Sequence, residues 1–358
     1  MLLQHLQHLK NLNRISQTNY DRTKFLRLDK NERNTSFSKK VIKDIKNLVS
    51  SETLQTYQSN TKKLVNYISK NEKISKDYIN ILPGSDAGIK YIFEVFSRKK
   101  KPSAATIFPT YGMIEIYAKI YNFNLIKIKE KEFIEKKIFN KNLSFIYIAN
   151  PNQPTGNYIN KKIIFNIIKK AKKKGIIVII DEAYIDFCKF KSMSTFIKRF
   201  NNLVILKTFS KSYGLAGLRI GYLIANKNFN KILNCVRSTF DISHFSIKVA
   251  EYLLRNRRIK KLYIKKVKLS KNYLVNQCKK RNLKFKNTEA NFFYVKVPNN
   301  KIRKIYKFMF KNKILIRTNF FENFKDLNNS IRITVGNIYL MKKFFKFFDK
   351  VYREKSIL

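Results

Sequence analysis

Cysteine and histidine are scarce in this chain. Cys188, Cys235 and Cys278 are odd in number and widely spaced, which excludes a disulfide framework and a CxxC metal site and fits a reducing cytoplasm. His5, His8 and His244 are too few for a zinc site or a Ser-His-Asp triad, so no metal is expected. Long apolar runs are missing too. The longest candidate, Ile176 to Ile180, falls far short of the roughly 18 residues a membrane span needs. The opening stretch Met1 to Lys10 lacks the apolar core and cleavage site of a secretory signal and reads as an amphipathic arm. A cytoplasmic protein with no membrane partner is expected.

Acidic residues are outnumbered, 23 against 76 Lys and Arg, for a formal charge of +53. The excess is spread along the chain as Lys beside Ile, Asn and Phe, in short runs such as Arg98 to Lys101, which reads as drift toward AT-rich codons. Such a surface attracts polyanions loosely and in a salt-sensitive way, but specific nucleic-acid recognition does not follow. A polyanion-binding protein is the rival that this charge alone motivates. A hydrophobic content of 44% over 358 residues is ample for a folded chain with two lobes.

Glycine is the third scarcity, nine residues where an average chain devotes about 7% of its positions to it. Three of the nine, Gly214, Gly217 and Gly221, lie in Thr208-Phe209-Ser210-Lys211-Ser212-Tyr213-Gly214-Leu215-Ala216-Gly217-Leu218-Arg219-Ile220-Gly221. Gly84 and Gly88 lie in Gly-Ser-Asp-Ala-Gly, Gly112 follows Pro-Thr-Tyr, Gly156 closes Asn-Pro-Asn-Gln-Pro-Thr-Gly, and Gly336 ends Arg-Ile-Thr-Val-Gly. Each segment alone reads as an ordinary turn. Together they mark places where bare backbone is wanted.

Strand-like runs at Ser103 to Phe108, Leu125 to Ile128, Ser144 to Ala149, Ile176 to Ile180, Leu203 to Lys207 and Gly221 to Ala225 alternate with amphipathic stretches such as Lys162 to Lys173. This pattern predicts an α/β fold, a mostly parallel sheet covered by helices on both faces. Ligands of such sheets sit beyond the carboxyl ends of the strands, where Asn150 to Gly156, Asp181 to Tyr184 and Thr208 to Lys211 fall. After Asp241 a long basic helical stretch to about Lys280 precedes strand-like Phe292 to Val297, Lys313 to Arg317 and Ser330 to Val335, the pattern of a smaller α+β lobe. The expected division is an N-terminal arm with part of the small domain over 1–50, a large cofactor-binding domain over 51–241 and a small C-terminal domain over 242–358.

Lys211 beside Ser210 and upstream of Arg219 suits an amine that forms an imine with an aldehyde while a hydroxyl and a guanidinium hold a phosphate. That combination suggests pyridoxal phosphate. Asp181 ends an all-apolar strand, where it either caps a helix or pairs with a protonated pyridine nitrogen. Gly84-Ser85-Asp86 opens a helical pattern, so its N–H groups either form part of a phosphate cup or are simply capped by Ser85 or Asp86.

In this order the segments resemble the fold-type I pyridoxal-phosphate aminotransferases, and most of all the histidinol-phosphate aminotransferase group. The resemblance runs from about Tyr20 to Gly336 and is sharpest at Leu28-Asp29-Lys30-Asn31-Glu32, Gly84-Ser85-Asp86, Pro109-Thr110-Tyr111-Gly112, Asn150 to Gly156, Asp181-Glu182-Ala183-Tyr184, the Lys211 segment, Leu315-Ile316-Arg317 and Ile331 to Gly336. It implies that Lys211 is the Schiff-base lysine and general base, that Asp181 pairs with the pyridine nitrogen, and that Tyr184 and Asn152 bond the ring's phenolic oxygen. Tyr111 would stack on the ring. Ser85, Asp86, Ser210 and Arg219 would hold the phosphate with Thr208 nearby, and Tyr57 would reach the cofactor phosphate of a second subunit, which makes a homodimer the active unit. Arg332, Arg317, Tyr20 and Asn152 would contact substrate. The implied reaction passes an amino group from an amino donor to a keto acid, from histidinol phosphate to 2-oxoglutarate in this group.

Two departures bear on substrate choice. Asn31-Glu32-Arg33-Asn34 lacks the proline common after the family's Asn-Glu-Asn, and Gln153 stands where Asn is common. Similar sequences also transaminate aromatic amino acids or decarboxylate threonine phosphate, and fold does not separate these activities.

Overall fold

The computed structural model describes residues 9, 12, 19–57, 60–135, 137–140, 142–318 and 327–353. In chain order its strands are β1 Leu26–Arg27, β2 Ile79–Leu82, β3 Ser103–Ile107, β4 Asn124–Ile128, β5 Phe145–Ala149, β6 Ile177–Asp181, β7 Leu203–Thr208, β8 Gly221–Ile224, β9 Phe285–Asn287, β10 Phe292–Lys296, β11 Ile314–Leu315 and β12 Ser330–Thr334. Seven of them form the main sheet in the order β2-β8-β7-β6-β5-β3-β4. β3 to β7 run parallel, and β8 is antiparallel to both β7 and β2.

The central strands are apolar throughout because helices cover both faces of the sheet. On one face Ile146, Ile148, Val178, Ile180, Leu203 and Ile205 meet Ile164, Ile167 and Ile168 of helix Lys161–Lys173. Those helix positions recur at a three-to-four-residue spacing, which gathers them on one side. Phe145, Tyr147, Ile179, Val204 and Leu206 face the other way, onto Ile89, Ile92 and Phe93 of helix Ser85–Ser97. Each fully buried Ile or Leu contributes about 1.5–3 kcal/mol.

β12, β10 and β9 make a separate antiparallel sheet whose core includes Leu274, Phe292, Tyr294, Ile331, Ile333, Phe344 and Phe348. β1 joins β11 in a separate two-stranded parallel pair, and Leu28 enters this second core. The helix Lys39–Lys46 packs elsewhere. Val41 of helix Lys39–Lys46 packs in the main-sheet core, and Asp44 accepts a hydrogen bond from Tyr252 at 2.7 Å.

The helical stretch after Asp241 is two helices, His244–Arg255 and Arg257–Lys280, broken at Asn256. The first buries Ile247, Val249 and Leu253 in the main core, and the second buries Tyr263, Val267 and Leu274 in the small one. The changeover in packing therefore falls at Asn256, beyond the 241/242 boundary expected from composition. β2 was not foreseen, its short apolar run being broken by Asn80.

Candidate active site

Five loops leave the carboxyl ends of β2, β3, β5, β6 and β7 and line one cavity of about 660 Å3. Ser85, Asp86, Tyr111, Asp181, Tyr184, Thr208, Ser210, Lys211 and Arg219 all line it, with Arg317 and Arg332 closing it from the small-sheet side. The expected residues on the sheet side are thus brought together from distant parts of the chain.

Asp181 ends β6, paired in register with Ala149 of β5. Its Oδ1 accepts from the Ala183 N–H at 3.0 Å and its Oδ2 from the Tyr147 hydroxyl at 2.7 Å. Burial lifts its pKa to about 6 against the opposing pull of those two donors, with Asp86 and Glu182 adding to the lift. A carboxylate so placed is starved of positive charge, and a cationic N–H in the cavity would supply it. The helix-cap alternative is not what the geometry contains, since among the described residues the one backbone N–H that Asp181 accepts is that of Ala183, two residues on, ahead of a three-residue helical turn at Ile185–Phe187.

Lys211 follows β7 in the loop Thr208 to Gly214. Its Nζ donates to the Lys30 carbonyl at 3.1 Å and lies 5.5 Å from the centre of the Tyr184 ring. Tyr184 in turn accepts from Asn31 Nδ2 at 3.0 Å, and Asn31 holds a positive φ of 56° with its N–H on Thr334 Oγ1. The segment carrying Lys30 and Asn31 therefore lies between Lys211 and the small sheet.

Another part of the cavity lining offers donors suited to an anion. Helix Ser85–Ser97 starts after Gly84 with no side chain capping its first N–H groups, and such a helix end attracts negative charge. Arg219 reaches over that turn: a Cβ on Gly84, whose φ is +89°, would stand 3.0 Å from Arg219 Nη2. A Cβ on Gly221 would meet the Lys207 carbonyl at 2.7 Å and the Gly84 backbone at 3.1 Å, so bare backbone brings the two turns together. Among the described residues no carboxylate pairs with Arg219, which hydrogen-bonds the Ala216 carbonyl at 3.3 Å. The Asp86 carboxylate is taken up elsewhere, accepting from Tyr117 at 3.1 Å and Tyr111 at 3.4 Å.

Arg332 is 5% exposed, donates from Nη2 to the Asp29 carbonyl at 2.7 Å, and is bridged through its backbone to Arg317. Burial pulls its pKa below the usual value, and Tyr294 and Tyr184 oppose that. Three expected residues do not line the cavity. Asn152 gives its amide protons to the Pro109 carbonyl at 2.9 Å and Thr155 Oγ1 at 3.0 Å, which leaves its buried Oδ1 unpartnered. Tyr20 packs on Phe25 and Phe310, both with ring centres 5.1 Å away. Tyr57 is 76% exposed and stacks on Phe240.

Sequence reasoning missed Tyr147 and the side chain of Asn31. Nothing flags Tyr147, an aromatic inside an apolar strand whose partner lies on the next strand of the sheet. Asn31 belonged to a recognised motif, but only the folded chain brings it to Tyr184.

The sequence profile of the Aminotransferase class I and II family matches residues 23–346. A histidinol-phosphate aminotransferase of Buchnera aphidicola subsp. Diuraphis noxia is 32% identical over 294 residues, 78% of this chain and 79% of its own length. One from Caldanaerobacter subterraneus subsp. tengcongensis is 31% identical over 327 residues, 87% of this chain and 88% of that protein. The crystal structure of histidinol-phosphate aminotransferase from Sinorhizobium meliloti in complex with pyridoxal-5'-phosphate superposes with a TM-score of 0.85 at 20% identity, covering 97% of each chain.

Pyridoxal phosphate is the cofactor of this family, and the residues here fit it. The uncapped helix end with unpaired Arg219 suits its phosphate, the charge-starved Asp181 its ring nitrogen and the cavity-lining Lys211 its aldehyde. The chain belongs to the class I and II aminotransferases and is a pyridoxal-phosphate-dependent aminotransferase of α/β fold.

Proposed function

We propose that this chain transfers the amino group of histidinol phosphate to 2-oxoglutarate, as a cytoplasmic homodimer. The observation that carries the substrate is the likeness at about 31% identity over 88% of the length of a protein named for that activity. The two arginines that close the cavity from the small-sheet side support an anionic substrate. Loss of polar contact with water makes a buried guanidinium such as Arg332 a strong partner for a phosphate or carboxylate.

When bound, pyridoxal phosphate supplies an electron-withdrawing ring that accepts the electron pair left behind as a proton leaves the substrate carbon. Lys211 is the base in this reading: its Nζ would take that proton and return it. Asp181 would favour a protonated ring nitrogen, and the Tyr184 hydroxyl would help to orient the ring. Ser85, Thr208, Ser210 and Arg219 would serve the phosphate end, Asp86 only through its backbone in the first turn of helix Ser85–Ser97 since its carboxylate is taken up by Tyr117 and Tyr111, and Tyr111 would lie against the ring. Arg332 and Arg317 hold the substrate's anionic groups. Asn152, Tyr20 and Tyr57 enter this scheme only if cofactor, substrate or a second subunit draws them in, Tyr57 from the partner copy.

The test is an absorbance spectrum of the protein loaded with pyridoxal phosphate, recorded before and after histidinol phosphate is added without any keto acid. Full conversion of the cofactor to its aminated form is expected. An unchanged spectrum that does convert with another amino compound would move the substrate elsewhere within the same chemistry.

A further inference from the structure

Behind Asp181, on the side away from the cavity, stands Tyr147. Its ring is 1% exposed and locked among Phe145, Ile179, Val204 and Leu206, and it is not part of the cavity wall. β5 and β6 are parallel neighbours with Tyr147 opposite Ile179, so the strand geometry aims the phenol along the sheet toward the end of β6. There the hydroxyl donates to Asp181 Oδ2 at 2.7 Å while the Ala183 N–H holds Oδ1 at 3.0 Å. A carboxylate has about four lone-pair positions, so these two donors fix its plane and leave acceptor positions for a donor in the cavity.

We propose that Tyr147 is the positioning residue of this site, gripping the Asp181 carboxylate from behind so that its free edge faces the ring nitrogen of the cofactor. The proposal rests on Asp181 meeting that nitrogen, as read above. The groups facing Asp181 sort into two sets. Tyr147 and the Ala183 N–H favour the ionised carboxylate, whereas burial, Asp86 and Glu182 disfavour it. Burial first, then Asp181 itself, holds the Tyr147 phenol well above its usual pKa, with Tyr111 and Asp86 adding to the rise. Tyr147 thus remains a proton donor across the working pH range. No other side-chain donor to Asp181 occurs among the described residues. Without Tyr147 the carboxylate keeps one backbone donor and loses its ionised form at higher pH.

The test is binding of pyridoxal phosphate to the cofactor-free full chain as a function of pH, followed by absorbance, for the parent, Tyr147→Phe, Asp181→Asn and the double variant. Phenylalanine retains the packed ring and removes only the hydroxyl. A hydrogen bond to a charged group is strong enough that Tyr147→Phe should move the acid limb of binding up by about one pH unit and weaken binding at neutral pH by about tenfold. In the double variant Tyr147→Phe should add nothing to Asp181→Asn, because the hydroxyl acts only through that carboxylate. Difluorotyrosine placed at position 147, a stronger donor with the same ring, should move the limb down, and it answers the question even if the phenylalanine variant folds poorly. If Asp181→Asn weakens binding and Tyr147→Phe leaves affinity and acid limb unchanged, Tyr147 is packing and the proposal is wrong. An Asp181→Asn chain that binds like the parent would instead overturn the reading of Asp181, and the role of Tyr147 with it.

Discussion

Lys207 and Lys211 lie four residues apart at the end of β7, and Asp181 and Glu182 are consecutive at the end of β6, yet their surroundings are opposite. Lys207 points into the core face with Ile205 and meets Glu72 at 2.9 Å and Glu182 at 3.4 Å. Glu72 also accepts from Tyr222 at 2.8 Å and Ser194 at 3.0 Å, and Glu182 from the Met193 N–H at 2.6 Å. Burial alone would discharge Lys207 and Glu72, but their mutual attraction outweighs it and holds both in their charged forms. On the cavity side Lys211 meets a carbonyl and the Tyr184 ring, and Asp181 has two donors, and among the described residues neither is paired with an opposite charge. The same residue types are neutralised within the protein on one side of the strand ends and left for a ligand on the other. Charge that the fold does not satisfy marks where the cofactor goes.

Four variants sharpen or break this contrast. Lys211→Ala should lower kcat by about 10^4-fold while leaving thermal stability within about 0.5 kcal/mol, read by steady-state kinetics and thermal melts. Lys207→Ala should do the reverse. It strands two buried carboxylates and should cost about 3–5 kcal/mol in denaturant unfolding, with turnover per folded molecule changed about tenfold or less. A Lys207→Ala chain that is stable but inactive would erase the distinction.

Asp181→Asn should lower kcat by about 10^2- to 10^3-fold and, without cofactor, relieve a buried charge. The pKa of Asp181 is raised in the fold from 3.8 to about 6, so the stability it contributes is fully present below 3.8 and is lost as pH rises through about 6. Urea unfolding of the cofactor-free parent should therefore gain about 2 kcal/mol relative to Asp181→Asn as pH falls from about 7 to about 4. The smallest effect is expected at Gly84→Ala. Its left-handed φ costs about 1–2 kcal/mol for any side chain, and the new methyl crowds Arg219, so calorimetry should find pyridoxal-phosphate binding weakened by about tenfold.

Much of this was legible in the sequence. The alternation of apolar runs and amphipathic stretches gave six of the main-sheet strands, and the loops after β5, β6 and β7 fell where ligands sit. Lys211 and Arg219 stood out because glycine is rare enough here that its clusters point at close backbone approach, and Asp181 because a carboxylate ends an all-apolar strand. The rest depended on contacts no local pattern encodes. Tyr147 and Asp181 meet only through strand pairing, and Glu72 reaches Lys207 from a helix far earlier in the chain. Asn31 was visible only as part of the Leu28 to Glu32 motif, and its contact with Tyr184 appears once β1 pairs with β11.

The most direct test of the contrast is to load the protein with pyridoxal phosphate, reduce with borohydride so that the bound cofactor is trapped on its amine, and map the adduct by mass spectrometry of proteolytic peptides. The account predicts a single modified site at Lys211 with Lys207 untouched. Modification at Lys207, or at no lysine of the cavity, would contradict it.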